Sequence, residues 1–143
     1  MPQSLSAIYV HLIFSTKNRA PLIRPEIEDA LHKYYAGILR NLDSPLICAG
    51  GTTDHIHILL RLGRKMSIAD LVEETKSSSS KWIRTKGVEY RDFYWQNGYG
   101  AFSIGQSGVP GVKSYIGKQK EHHRKKSFQE EFRQFLKRYE IEY

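Results

Sequence analysis

Cysteine occurs once in the 143 residues, as Cys48, which excludes a disulfide framework and any cysteine-rich zinc site. Its place in the apolar run Pro45-Leu46-Ile47-Cys48-Ala49 predicts a buried structural thiol. No apolar stretch approaches the roughly 20 residues of a membrane span. The amino terminus lacks the basic-then-apolar layout of a secretion signal, so a cytoplasmic protein is expected. A Gly-x-x-x-x-Gly-Lys phosphate loop is missing. Repeats, low-complexity tails and linkers are missing too, and residues 1–143 read as one domain long enough to bury a core.

Acidic residues are in deficit. Lys and Arg total 22 against 15 Asp and Glu, giving a net charge of +7 and a pI near 9.5. The excess is uneven: residues 15–24 hold Lys17, Arg19 and Arg24 with no acid, and residues 113–126 hold Lys113, Lys118, Lys120, Arg124, Lys125 and Lys126 against Glu121 alone. One-sided basic runs favour a polyanion through counterion release, which makes nucleic acid the expected partner. Hydrophobic residues at 40% and aromatics at 12% fit a folded domain rather than a disordered basic tail.

The order of elements follows from periodicity and end signals. Ala7 to Ser15 reads as an apolar strand. Pro25 to Leu42 reads as a helix, opened by proline, with Glu26, Glu28 and Asp29 in its first turn and Ile27, Leu31, Tyr34, Tyr35, Ile38 and Leu39 as its stripe. Pro45 to Ala49 is a second strand, and residues 50–54 turn it into a third. Ser67, with Asp70 three residues on, caps a second helix that carries the serine run Ser77 to Ser80. Tyr94 to Ile104 is a glycine-interrupted strand region, followed by helices from about Val109 to His123 and from Ser127 to Tyr139. The βαββαβ order predicts an α+β, ferredoxin-like fold: an antiparallel sheet with helices on one face, plus a C-terminal helix bearing Tyr115.

The third strand holds the most informative pattern, Thr53-Asp54-His55-Ile56-His57-Ile58-Leu59-Leu60. Residues two apart on a strand share a face at roughly 7 Å. Ile56, Ile58, Leu60 and Leu62 are thus expected on the buried face, and His55 and His57 together on an open one. Parallel imidazoles of this kind can converge on one divalent cation; the same spacing also fits a solvated pair.

Tyr115 and Gln119 stand i to i+4 on the Val109–His123 helix, hence on one face. They border the stripe Val109, Val112 and Ile116, with His122 on the same side. A cation held by two neutral imidazoles and a neutral glutamine amide keeps its full charge and can polarise a phosphodiester oxygen. A nearby tyrosine hydroxyl could then attack phosphorus and form a phosphotyrosine, storing the energy for rejoining without a nucleotide cofactor.

The blocks Tyr9-Val10-His11-Leu12-Ile13-Phe14-Ser15-Thr16-Lys17, Asp54 to Leu60, Trp95 to Ser103 and Tyr115-Ile116-Gly117-Lys118-Gln119 resemble the single-tyrosine HUH transposases, small enzymes of insertion sequences that move as single-stranded DNA. The resemblance spans nearly the whole chain. It implies His55, His57 and Gln119 as ligands of Mg²⁺ or Mn²⁺, and Tyr115 as the nucleophile forming a 5′-phosphotyrosine. It also implies recognition of DNA hairpins at element ends and a homodimer in which each tyrosine helix completes the partner's site. Gly98, Gly100, Gly105, Gly108 and Gly111 supply five of eleven glycines just before that helix, as a hinge would.

Candidate DNA contacts are Lys17, Arg19, Lys76, Lys81, Arg84, Lys113 and Lys118, with Tyr94, Trp95 and Tyr99 as possible base-stacking rings or, for Trp95, core. A histidine-triad nucleotide hydrolase would want a third histidine at position 59, which is Leu59. The other readings are a hairpin-DNA or RNA-binding module whose chemistry is unused, and a domesticated relative acting on repetitive extragenic palindromes.

Overall fold

Alternation along two central strands divides the molecule into layers. In the computed structural model, which describes residues 4–123 and 126–142 apart from the side chain of His122, β1 (Tyr9–Ser15) pairs antiparallel with β3 (His55–Arg61) and with β4 (Gly100–Ile104). Outside β3 lies β2 (Leu46–Gly51), so the strand order is β2-β3-β1-β4. This is the antiparallel split βαβ arrangement expected from the sequence.

One face carries Val10, Leu12 and Phe14 of β1 and Ile56, Ile58 and Leu60 of β3. They pack against α1 (Pro25–Asn41), through Ile27, Leu31, Tyr35 and Leu39, and α2 (Ile68–Arg84), through Leu71, Val72 and Ile83. Ser67 caps α2, its hydroxyl accepting from the Asp70 amide at 3.0 Å. The serine run has an internal use: Ser79 is buried and accepts the Trp95 indole N–H at 3.0 Å. Trp95 joins the core beside Phe14 and Phe93.

The opposite face, expected to be open, is covered. The residues predicted as one helix from Val109 to His123 break at Lys118 into α3 (Val109–Gly117) and α4 (Gln119–His122), and α5 (Phe128–Arg138) follows. Phe128, Phe132, Phe135, Leu136 and Tyr139 form a second apolar cluster with Ile13, Phe102 and Tyr115. An amphipathic helix must bury its apolar stripe somewhere, and the histidine side of the sheet is where this one does so.

Two strand glycines set the approach of that layer. A Cβ on Gly50, cross-strand partner of His57, would lie 2.4 Å from the Ile116 carbonyl oxygen of α3. One on Gly100 would lie 2.6 Å from the Phe132 ring of α5. Both positions let a helix come against the sheet backbone. Cys48 is only partly buried, not sealed as its apolar neighbours imply, because β2 is the sheet edge. Among the described residues no helix is long and apolar enough to cross a membrane.

Candidate metal and tyrosine site

His55 and His57 do share a face of β3, but each is fully buried beneath the C-terminal helices. Each is oriented from behind. Thr52 Oγ1 donates to Asp54 Oδ1 at 2.8 Å, and Asp54 Oδ1 lies 2.8 Å from His55 Nδ1. Partial burial works against ionisation of Asp54, but hydrogen bonds from His55 and Thr52 outweigh it and hold the carboxyl below its usual range. An ionised Asp54 only accepts, so His55 Nδ1 donates to it and the ring is oriented with Nε2 facing inward. His57 Nδ1 lies 2.8 Å from Nε2 of His11 on β1. Burial, with a smaller effect from His57, pushes His11 down to about 3, so this ring is neutral. Burial also lowers His57, against the opposing pull of Glu131.

The inward nitrogens meet three groups from the C-terminal layer. His55 Nε2 and His123 Nε2 each lie 3.1 Å from Gln119 Oε1. His57 Nε2 lies 3.0 Å and His123 Nε2 3.2 Å from Glu131 Oε1. Gln119 Nε2 donates to the other carboxylate oxygen at 3.2 Å, and the Tyr115 hydroxyl donates to that same oxygen. The side chains of His55, His57, His123 and Glu131 bring one ligand atom each within 4.8 Å of one another.

A buried carboxylate is stable as an anion only when compensated. Glu131 is 2% exposed. Burial pushes its carboxyl up, and hydrogen bonding and charge from His57, with the Tyr115 hydroxyl, more than reverse this, leaving it ionised well below the ordinary range. The phenol responds in the opposite sense: burial first, then the neighbouring Glu131, raise Tyr115 far above its usual value. Without a cation, this tyrosine is a protonated donor.

The predicted quartet His55, His57, Tyr115 and Gln119 is thus brought together in one chain, across the Gly117–Lys118 break. The break rotates Gln119 inward to full burial while Tyr115 stays half-buried. His11, Asp54, His123 and Glu131 belong to the site and were not expected there. His11 did carry a sequence signal, since it shares a β1 face with Ile13, the cross-strand partner of His57. Glu131 carried none, being one of a pair of acids in the first turn of an amphipathic helix.

Tyr115 looks out through a cleft of about 830 Å³ lined also by His11, Glu131 and Phe135, with Lys118, Lys126 and Arg138 on its walls. The remaining predicted contacts are dispersed. Lys17, Arg19, Lys81 and Lys113 are exposed. Lys76 donates to the Gln96 and Gly98 carbonyls at 2.7 and 2.6 Å, and Arg84 to the Phe93 carbonyl at 3.1 Å, so both tie the loop before β4. Tyr94 is exposed with Lys17 and Arg84 over its ring, and Tyr99 is exposed. Arg124 and Lys125 lie outside the described residues, as does the side chain of His122.

Comparison with known proteins identifies the family and the fold. The profile of the family described as "Transposase IS200 like" matches residues 4–119, and the chain belongs to that family. A crystal structure from Deinococcus radiodurans R1, provisionally described as a transposase, is similar at a TM-score of 0.64 and 21% identity, over 83% of this chain and 98% of that one. A REP-associated tyrosine transposase bound to a REP hairpin is similar at 0.60 and 12% identity, over 82% of this chain and 69% of that one. At these identities the likeness is one of fold. Among curated proteins none matches the chain.

Proposed function

We propose that this transposase-family protein nicks and rejoins single-stranded DNA at hairpin-marked ends, with Tyr115 as nucleophile and His55, His57 and Gln119 holding a divalent cation. The observation that carries the reading is one shared carboxylate. Glu131 accepts the Tyr115 hydroxyl on one oxygen and meets His57 Nε2 at 3.0 Å on the other. The phenol therefore stands beside the ligand set, on the wall of a cleft whose Lys118, Lys126 and Arg138 suit a phosphate backbone.

In the proposed reaction the Tyr115 oxygen bonds to phosphorus and the bond from phosphorus to the 3′ oxygen of the adjoining nucleotide breaks. The product is a 5′-phosphotyrosine and a free 3′-hydroxyl. The tyrosine proton passes to Glu131, which already accepts it, and is balanced by proton uptake at the leaving oxygen. A bound Mg²⁺ or Mn²⁺ supplies Lewis acidity at the phosphodiester. Rejoining is the reverse attack by a 3′-hydroxyl.

Gly105 and Gly111 border and begin the tyrosine helix where an added Cβ would meet nothing within 4 Å. Neither contact nor positive φ demands glycine there, which supports a role in freedom of motion. In a homodimer such a hinge lets the helix serve either subunit's site. The neighbour bound to a REP hairpin supports hairpin recognition, and the exposed Tyr94, flanked by Lys17 and Arg84, supplies a surface for base stacking. The site of action is the cytoplasm.

The test uses hairpin-bearing single-stranded oligonucleotides with and without Mg²⁺ or Mn²⁺. Wild type is expected to form a denaturation-resistant adduct; Tyr115→Phe should bind DNA without forming it, and His57→Ala should lose metal-dependent cleavage. Undiminished adduct from Tyr115→Phe puts the nucleophile elsewhere. Tight hairpin binding by a wild type that never cuts makes the chain a binding module of the same fold.

A further inference from the structure

Beyond that reading, and resting on its assignment of His55 and His57 as ligands, we infer that His123 and Glu131 are also direct metal ligands, making a nitrogen-rich site that prefers Mn²⁺ or another first-row transition ion to Mg²⁺. Donors from the sheet and from the C-terminal layer converge on one point. His55 Nε2, turned inward because Nδ1 faces Asp54, lies 3.1 Å from Gln119 Oε1 and 3.8 Å from Glu131 Oε1. The Gln119 amide nitrogen is occupied by Glu131 Oε2, so each of these side chains presents an oxygen toward the imidazole, as ligands around a shared cation would.

The remaining donors close around the same point. His57, His123 and Glu131 each direct a ligand atom into it, and the four titratable donors span no more than 4.8 Å. Bonds of roughly 2 Å hold two ligands no more than about 4 Å apart, so binding draws the outermost of these donors inward by less than about 1 Å. Three imidazoles and a carboxylate suit Mn²⁺, Fe²⁺, Co²⁺ or Zn²⁺, whereas Mg²⁺ is held through oxygens and keeps its waters. His123 and Glu131 lie past residue 119, where the match to the family profile ends. Ligation by Glu131 also links the ion to the nucleophile, because its second oxygen holds the Tyr115 hydroxyl.

The test reads binding rather than cleavage. Metal-free full-length protein is titrated with Mn²⁺, followed by the electron paramagnetic resonance of the free ion, and with Co²⁺, followed by visible absorption. Glu131→Gln, Glu131→Ala, His123→Asn and, as reference, His57→Ala are titrated alongside, with circular dichroism to confirm folding. Both Glu131 variants and His123→Asn should each weaken Mn²⁺ by more than the roughly 10–100-fold that loss of an outer-sphere partner costs, and alter the Co²⁺ spectrum. Millimolar Mg²⁺ should leave bound Mn²⁺ in place. Wild-type affinity and spectrum in all of these variants, with loss only in His57→Ala, would overturn the inference while leaving the His55, His57 and Gln119 site standing. Equal competition by Mg²⁺ would overturn it as well. Failure of wild type to bind any of these ions would sink both.

Discussion

His11 Nε2 lies 2.8 Å from His57 Nδ1, and neither ring reaches solvent. The two residues are diagonal neighbours on adjacent strands, since His57 faces Ile13 across the ladder. A ligand imidazole is held in tautomer and orientation by the partner of its other nitrogen. His11 is thus a positioning residue for His57, and it touches the cleft as well.

The first prediction follows from that contact. His11→Phe keeps a planar ring and removes the hydrogen bond, and Mn²⁺ affinity should fall by about 10–100-fold. His11→Gln can place an amide nitrogen near the lost Nε2 and should recover part of the affinity. A merely space-filling His11 would make the phenylalanine variant the better binder, as metal titration would reveal.

Acid should unfold the metal-free protein through the same pair. Burial lowers His11 from 6.5 to about 3 in the folded state. The unfolded chain therefore binds the extra proton between those values, and stability falls as pH drops through that window. His57 shifts in the same direction, again chiefly by burial. Glu131, held low in the fold, adds a loss below its ordinary value of 4.5. Melting temperature of chelator-treated protein should decline from pH 7 to 4, and His11→Phe should show a shallower slope. Parallel slopes for the two proteins would count against the histidine as the titrating group.

Gly50→Ala should separate the tyrosine helix from the sheet. The new methyl would stand 2.4 Å from the Ile116 carbonyl oxygen and 2.9 Å from its Cγ2, and a helix backbone yields only by moving. Overpacking of this kind costs about 1–3 kcal/mol. Because Tyr115 precedes Ile116, adduct formation should drop even where DNA binding persists. Gly111→Ala meets nothing within 4 Å and gains up to about 1 kcal/mol of helix stability, so denaturant melts of the two variants should diverge in sign.

Why the sheet was legible in the sequence and the covered site was not comes down to where the signals reside. Strand alternation in residues 55–61, the proline-opened helix at Pro25 and the Ser67 cap are local, and each survives in the fold. So does the pairing of Tyr115 with the histidines, though only through a helix break that i to i+4 spacing does not reveal. Nothing local says that the stripe Phe128, Phe132 and Phe135 lies over His55 and His57 rather than over another surface. Glu131 is a first-turn acid by sequence and a site residue only by tertiary packing. Lys76 and Arg84 show the converse, since cations at an expected DNA face spend their donors on backbone carbonyls.

That last contrast gives a prediction about DNA affinity. A lysine that only neutralises phosphate contributes about one unit to the slope of log affinity against log salt, and its loss leaves the fold unchanged. Lys17 and Lys113 are exposed, so Lys17→Ala and Lys113→Ala should each reduce that slope without moving the melting temperature. Lys76 is different, because its ammonium joins the Gln96 and Gly98 carbonyls and lies over the Phe14 ring at 5.4 Å. Lys76→Met should lower the melting temperature and loosen the loop that bears Tyr94 and Trp95, weakening hairpin binding at every salt concentration by a similar factor. Hairpin titrations at several ionic strengths, with thermal melts of the same samples, distinguish the two behaviours. A lower salt slope with an unchanged melt for Lys76→Met would return that residue to the set of plain phosphate contacts.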